Sequence, residues 1–153
     1  MNPFHRILRR SCSALLTLVV TAAAGTGCTH YANVTEIDSP DGVPTYVSSR
    51  TWSDGTPRTV IVERVLETEG ACELLEVRSH YFAPDGLLDQ RAVEMMKCGV
   101  VETSTVDDFD PKTGRHVQVI RTDANHDGEF DSEQRFENAV SVADLQRMSE
   151  AVL

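Results

Sequence analysis

The chain has 153 residues, 41% hydrophobic and 25% charged, with 14 lysines and arginines against 24 aspartates and glutamates. A formal charge of −10 argues against nucleic acid or bare anionic lipid as a partner and suits cations or basic surfaces. The apolar content is too high for a disordered acidic tail.

Residues 1–28 read as an export signal. Arg6, Arg9 and Arg10 form a basic end, Ala14 to Ala24 an apolar middle, and Thr26-Gly27-Cys28 an exit. The apolar run is short for a membrane span and ends in small residues. The stretch resembles a bacterial lipoprotein signal, in which the cysteine after a small residue is lipidated and becomes the new N-terminus. Gly25 stands where that pattern favours leucine. The resemblance implies a signal peptide over 1–27, a lipid of the palmitate type on Cys28, and, with Thr29 following the cysteine, an outer-membrane address. Two rival routes are a cut after Ala22-Ala23-Ala24, releasing a soluble periplasmic protein, and twin-arginine export through Arg9-Arg10. Cysteine arithmetic favours the lipoprotein. Of the four cysteines, Cys12 leaves with the signal and Cys28 takes the lipid, so Cys72 and Cys98 remain as a pair in an oxidising compartment.

The remaining 28–153 segment carries 11 basic and 24 acidic residues, a formal charge of −13, because Arg6, Arg9 and Arg10 leave with the signal. Its length suits one domain with a real core. Residues 28–43 hold Asn33, Asp38, Ser39, Pro40, Asp41 and Gly42 without periodicity and read as a lipidated cysteine followed by a flexible tether.

The domain proper, 44–153, reads as mainly β (α+β): an antiparallel hairpin meander of about six to seven strands with a short C-terminal helix. Thr45–Trp52 and Arg58–Glu67 are rich in Val, Ile and Thr and flank Ser53-Asp54-Gly55. Cys72–Ala83 and Leu87–Cys98 pair about Pro84-Asp85-Gly86, whose order suits a type I turn closed by a left-handed glycine. Val100–Asp107 and Arg115–Thr122 flank a turn ending in Gly114. The three-residue Pro-Asp-Gly turn sets Ala83 against Leu87. Carried down the ladder, Val77 faces Val93, Leu75 faces Met95, Glu76 faces Glu94 on a wet face, and Cys72 faces Cys98. Opposed cysteines in adjacent antiparallel strands can bridge.

The stretch with the clearest chemistry is 123–134, Asp-Ala-Asn-His-Asp-Gly-Glu-Phe-Asp-Ser-Glu-Gln. Oxygen-bearing side chains at Asp123, Asn125, Asp127 and Asp131 let a short loop curl around a hard cation. Gly128 supplies the sharp turn and the carbonyl of Glu129 a further oxygen. The loop resembles the calcium loop of EF-hand proteins and the Asp-rich loops of thrombospondin type 3 repeats. That resemblance implies Ca²⁺ as the cofactor. It departs at the twelfth position, where Gln134 stands in place of a bidentate glutamate, with Glu133 and Glu137 as possible substitutes. One charge fewer places the affinity at the weak end, about 10⁻⁴ to 10⁻³ M. An acidic turn with solvated carboxylates is the plainer alternative. The β-branched Val117, Val119 and Ile120 before the loop argue for an entering strand and against the helix of an EF-hand. After it, Glu133–Asn138 suits a last strand, although Phe136 and Val140 would also suit a helix.

Ser141-Val142-Ala143-Asp144 is a capping box in the broad sense, and Leu145, Met148 and Val152 have helical spacing, so a short amphipathic helix is expected over about 142–152. No hydrolase, zincin, phosphate-loop or dinucleotide motif is present. His80 and His116 lie in predicted strands as packed or solvated imidazoles. Trp52, Tyr46 and Tyr81 would form a binding surface only if they shared a face. The expected role is structural or binding work in the envelope, toward an envelope protein or glycan, with no catalytic residue assigned. An envelope enzyme or enzyme inhibitor with a site assembled from scattered residues is the first alternative, and a calcium-responsive regulator the second.

Overall fold

The structure is a computed structural model and describes residues 34–152. The expected signal and the lipidation site at Cys28 lie outside the described residues. The elements are β1 (Val34–Ile37), β2 (Thr45–Thr51), β3 (Pro57–Glu69), β4 (Cys72–Phe82), β5 (Leu88–Lys97), β6 (Val100–Asp110), β7 (Arg115–Thr122), β8 (Ser132–Ala139) and one helix, α1 (Val142–Glu150). The eight strands form one antiparallel sheet in sequence order, a pure meander in which, among the described residues, β1 and β8 are the edge strands. The hairpin architecture expected from the turn signals is therefore present, with one strand more than foreseen.

The extra strand comes from the stretch read as tether. Val34-Thr35-Glu36-Ile37 pairs with Thr45–Ser48, and the Ser39–Gly42 turn between them closes with Gly42 N–H donating to Ser39 O at 2.9 Å. Asp41 holds this turn by accepting from Ser39 Oγ and Val43 N, and it forms an ion pair with Arg64. The Pro-Asp-Gly composition that suggested a tether is turn chemistry between two strands.

The second hairpin corrects the predicted register. Ala83 does face Leu87, with Ala83 N–H donating to Leu87 O at 2.9 Å, and Gly86 takes φ +83°. Phe82 still faces Leu88, but the register shifts before Tyr81 meets Gln90, leaving Asp89 as an extra residue in β5. From there the ladder runs one residue out of the predicted alignment. Val77 faces Glu94, Leu75 faces Met96, and Glu76 faces Met95. A one-residue slip exchanges the faces of a strand. Ala92 (1% exposed) and Met96 (4%) are thereby buried in place of Val93 and Met95. Glu94 is not on a wet face. It is 7% exposed, between Val77 and Ser104 in neighbouring strands. The disulfide survives the slip, since Cys72 and Cys98 lie beyond the ladder's last pair, Leu74–Lys97, with Cα atoms 4.5 Å apart. Cys98 itself sits at φ +51° and Gly99 at φ +88°, the pair of left-handed residues that a two-residue hairpin turn requires.

Helix α1 is set by its own ends. The Ser141 hydroxyl accepts from Asp144 N at 3.1 Å, and Asp144 sits in the first turn where a negative charge opposes the helix dipole. Its buried side carries Leu145, with 0% exposure, into a cluster with Val60, Phe82, Leu88 and Phe109, flanked by Val47, Val62, Val140 and Met148. Ser149 ties the helix to the sheet: its hydroxyl donates to Leu145 O at 2.7 Å and accepts from Leu88 N at 2.8 Å. That bond satisfies a backbone donor beside the Asp89 bulge, so bulge and helix fix one another.

Candidate functional site

Loop 123–131 leaves β7 and enters β8, with Asp131 N–H returning to Thr122 O at 2.9 Å. The expectation of a strand-flanked loop holds, and the segment after it is strand. Asp123 is 2% exposed, and both its oxygens accept backbone donors, Oδ1 from His126 N at 2.7 Å and Oδ2 from Gly128 N at 2.8 Å. Asn125 Oδ1 accepts from Asp127 N at 3.0 Å, and Asp127 Oδ1 from Glu129 N at 2.8 Å, so two successive side chains each cap the backbone two residues on. Asp131 Oδ2 reaches back to Ala124 N at 2.7 Å. Gly128 at φ +91° supplies the turn, and His126, at φ +61°, is the second left-handed residue.

Two carboxylate oxygens are aimed at one group. Asp127 Oδ2 and Asp131 Oδ1 lie 3.1 and 3.4 Å from Asn125 Nδ2, which draws the two negative charges together. Asp123, Asn125, Asp127 and Asp131 thus share one loop, but the group that Asp127 and Asp131 face is the Asn125 amide nitrogen, a hydrogen-bond donor, and both Asp123 oxygens are taken by backbone N–H groups. Among the described residues no three His, Cys, Asp or Glu side chains converge closely enough to hold a metal ion. Gln134 stands in β8 opposite Ile120, outside the loop's hydrogen bonds. The substitutes considered for it are engaged elsewhere: Glu133 accepts from Arg121 at 2.7 Å and Glu137 from Arg115 at 2.7 Å. The carboxylate at the loop's flank is instead Glu102 of β6, 3.2 Å from His126 Nδ1, while its backbone carbonyl accepts from Asp123 N at 2.8 Å. Sequence spacing could not reveal Glu102, because it arrives by strand pairing from the preceding hairpin.

A second polar constellation lies on the face that carries α1. One register row crosses five strands as Val60, His80, Arg91, Asp107 and Gln118. Asp107 is 1% exposed. Its Oδ2 accepts from Arg91 Nε at 2.9 Å and Nη2 at 2.7 Å, and its Oδ1 from Gln118 Nε2 at 3.0 Å and His116 Nε2 at 2.8 Å. Burial would raise the Asp107 carboxyl, but hydrogen bonds from His116 and Arg91, the Arg91 charge and the Gln118 amide outweigh it and hold it below the usual carboxylate range. The His116 ring stacks on Phe109 with centroids 4.8 Å apart. His80, in the same row, is buried with Nδ1 lacking a hydrogen-bond partner, and burial pushes its pKa down. The two histidines therefore serve the sheet in different ways.

On the opposite face, burial pushes the Glu94 carboxyl up, partly offset by its hydrogen bond with Ser104. Of the three aromatics, Tyr46 and Tyr81 fall on one face by pairing register, opposite Glu63 and Thr59 of β3. Trp52 is pinned at a hairpin end, its Nε1 donating to Phe82 O at 3.3 Å and its ring under the Arg58 guanidinium at 4.7 Å. A shallow depression of about 220 Å³ is lined by Asp108, Phe109, Asp110, Arg115, Val117 and Arg135. No family model, curated protein or solved structure matches the chain.

Proposed function

We propose that this chain is a lipid-anchored protein of the bacterial outer membrane, attached through Cys28, whose single sheet does structural or binding work in the envelope. Loop 123–134 takes a weakly held calcium ion that stiffens the β7–β8 connection and does not react. The observation that carries the reading is the Cys72–Cys98 disulfide across β4 and β5, a bond suited to an oxidising compartment, which leaves Cys28 as the odd cysteine after the signal. The calcium part is supported by the convergence of Asp127 and Asp131 on Asn125. The depression beside Phe109 is smaller than the roughly 300–1,000 Å³ usual for small-molecule sites, which weighs against a substrate cleft there.

Two measurements test the proposal. When the full chain is expressed in a bacterium with labelled palmitate, the label is expected on the wild type and not on Cys28→Ser. An unlabelled wild type, cleaved after Ala24 and free in the periplasm, overturns the anchor. Thermal melts in EDTA and in about 10 mM calcium address the loop. With a dissociation constant of about 10⁻³ M, calcium adds roughly 1.4 kcal/mol, a rise of about 5 °C. Asp127→Ala is expected to lose that response. Equal midpoints in both buffers for the wild type would reduce the loop to an acidic turn.

A further inference from the structure

The geometry points to the outer edge of β8 as a pairing surface for a second copy of this chain, joined antiparallel about a two-fold axis at Phe136. Strand β8 ends the sheet, and among the described residues no strand pairs with its outer side. Edge strands are commonly blunted by proline, lysine, a bulge or extreme shortness. This one has none of these, and its three charges, Glu133, Arg135 and Glu137, are of mixed sign, so they can pair across a two-fold axis as well as repel. Its eight residues, Ser132–Ala139, are exposed throughout, contain no proline or lysine, and pair with β7 without a register shift. Phe136 at its centre is 44% exposed. Helix α1 does not cover the edge, because it runs inward from the end of β8 to dock on β5 through Ser149 and Leu88.

The backbone restricts which registers a second copy could adopt. Val140 N donates to Gly114 O at 2.9 Å, continuing the ladder in which Arg115 faces Ala139. Hydrogen-bonded and non-bonded positions alternate along an antiparallel strand. Asn138, Phe136 and Gln134 therefore spend their backbone groups on β7, and Glu137, Arg135 and Glu133 turn theirs outward. A symmetric partner must set odd-numbered residues against odd-numbered residues. Centring on Arg135 opposes Arg135 to itself and Glu133 to Glu137, both like-charge pairs. Centring on Gln134 sets Glu133 against Arg135 twice but leaves Phe136 opposite Ser132, and centring on Glu137 opposes that glutamate to itself. Centring on Phe136 alone sets Arg135 against Glu137 twice, Gln134 against Asn138 twice, and Phe136 against Phe136. Directly opposed unlike charges stabilise a sheet and like charges destabilise it. The charges of β8 thus leave two two-fold registers, and of these only the one centred on Phe136 buries that exposed ring against its own copy; its central pair is of the non-hydrogen-bonded kind, with Cα atoms about 4.5 Å apart and side chains close. This pairing rests on neither the lipid nor the calcium reading.

Disulfide trapping in cells making the full chain tests it. Phe136→Cys places two thiols at a Cα separation that a disulfide spans, and a covalent dimer is expected on oxidation, above the background of the chain without the new cysteine. Gln134→Cys, opposite Asn138 in this register, is expected to give no such dimer. Adding Arg135→Glu, or Glu137→Arg, to Phe136→Cys turns both cross-pairs repulsive and is expected to lower the dimer yield about tenfold or more. Combining the two exchanges restores complementarity and the yield. Each variant's melting midpoint confirms that it folds, since these side chains are exposed. The proposal is overturned if folded Phe136→Cys forms no dimer above background, if it is captured by another protein instead, or if the double exchange fails to recover what either single exchange loses.

Discussion

Asp107→Ala is the substitution whose cost follows most directly from the structure. The wild-type carboxylate is 1% exposed and accepts four hydrogen bonds, two from Arg91 and one each from His116 and Gln118. Truncation orphans all of those donors on a helix-covered face. Removing one partner of a buried ionic network costs about 3–5 kcal/mol. The lower end applies here, because the Arg91 side chain is 35% exposed and can recover some hydration. A loss of about 3 kcal/mol is a large share of the roughly 5–15 kcal/mol that holds such a domain together. With a urea m-value of about 1.5 kcal/mol/M, the midpoint should fall by about 2 M. The assay is urea unfolding at neutral pH with the disulfide intact, for Asp107→Ala, Arg91→Ala and the double variant. Strong coupling predicts that the double variant loses much less than the sum of the two single losses. The pH dependence gives an independent check. Asp107 has a folded pKa below its unfolded value of about 3.9, so its contribution is present above that value and is lost as pH falls through the folded pKa. Asp107→Asn should flatten the acid limb in that window. A midpoint change under about 0.5 M for Asp107→Ala, with additive single losses, would show that water replaces the network at little cost.

Three further outcomes follow from other parts of the sheet. Glu94 has a folded pKa raised by burial, so the wild type should lose stability as pH rises from the ordinary glutamate value through the raised one. Glu94→Gln should therefore melt higher at pH 7–8, by roughly 1 kcal/mol, and converge with the wild type near pH 4 when melts are compared across pH. Replacing both Cys72 and Cys98 by serine opens a bridge of sequence separation 26 and should remove about 3 kcal/mol, read from urea midpoints against the oxidised wild type. Gly114 has φ +68°, and a Cβ there would lie 3.3 Å from Val140 O, so Gly114→Ala should cost about 1–2 kcal/mol. Gly55, at φ +89° with open space around it, carries the left-handed strain without the close contact, so Gly55→Ala should also destabilise in thermal melts.

The meander was legible because its punctuation is chemical. Pro84-Asp85-Gly86 forms the predicted turn, with Asp85 accepting from Leu87 N at 3.1 Å, and the Ser141 cap opens the helix where the sequence placed it. The register beyond Tyr81 was not legible, because a bulge at Asp89 depends on what the freed Leu88 N–H can find. Its partner, Ser149, lies 61 residues away. The alternation of β5 fits either phase: Val93 and Met95 are as apolar as Ala92 and Met96. Only the long-range contact with α1 decides between them, and in deciding it buries Glu94. Strand β1 was missed for the opposite reason, since its four residues are too few to show a period.

The two polar constellations divide along the same line. Loop 123–131 is local, with side-chain to backbone bonds that span two to seven residues, so its oxygens could be read from spacing alone. Gln134 could not be placed that way. An EF-hand continues into a helix that turns its twelfth residue back toward the ion, whereas β8 extends at about 3.4 Å per residue and carries Gln134 off along the sheet. The Asp107 network has no local component, because its four bonds come from β5 and β7, on either side of β6. In sequence, Asp107 and Asp108 are indistinguishable neighbours. Strand alternation sends one into the face under α1, where it meets Arg91, His116 and Gln118, and leaves the other exposed, accepting from Gln90 at 2.6 Å. Pairing register, and not residue type, thus separates an acid that holds the fold together from one that only solvates it.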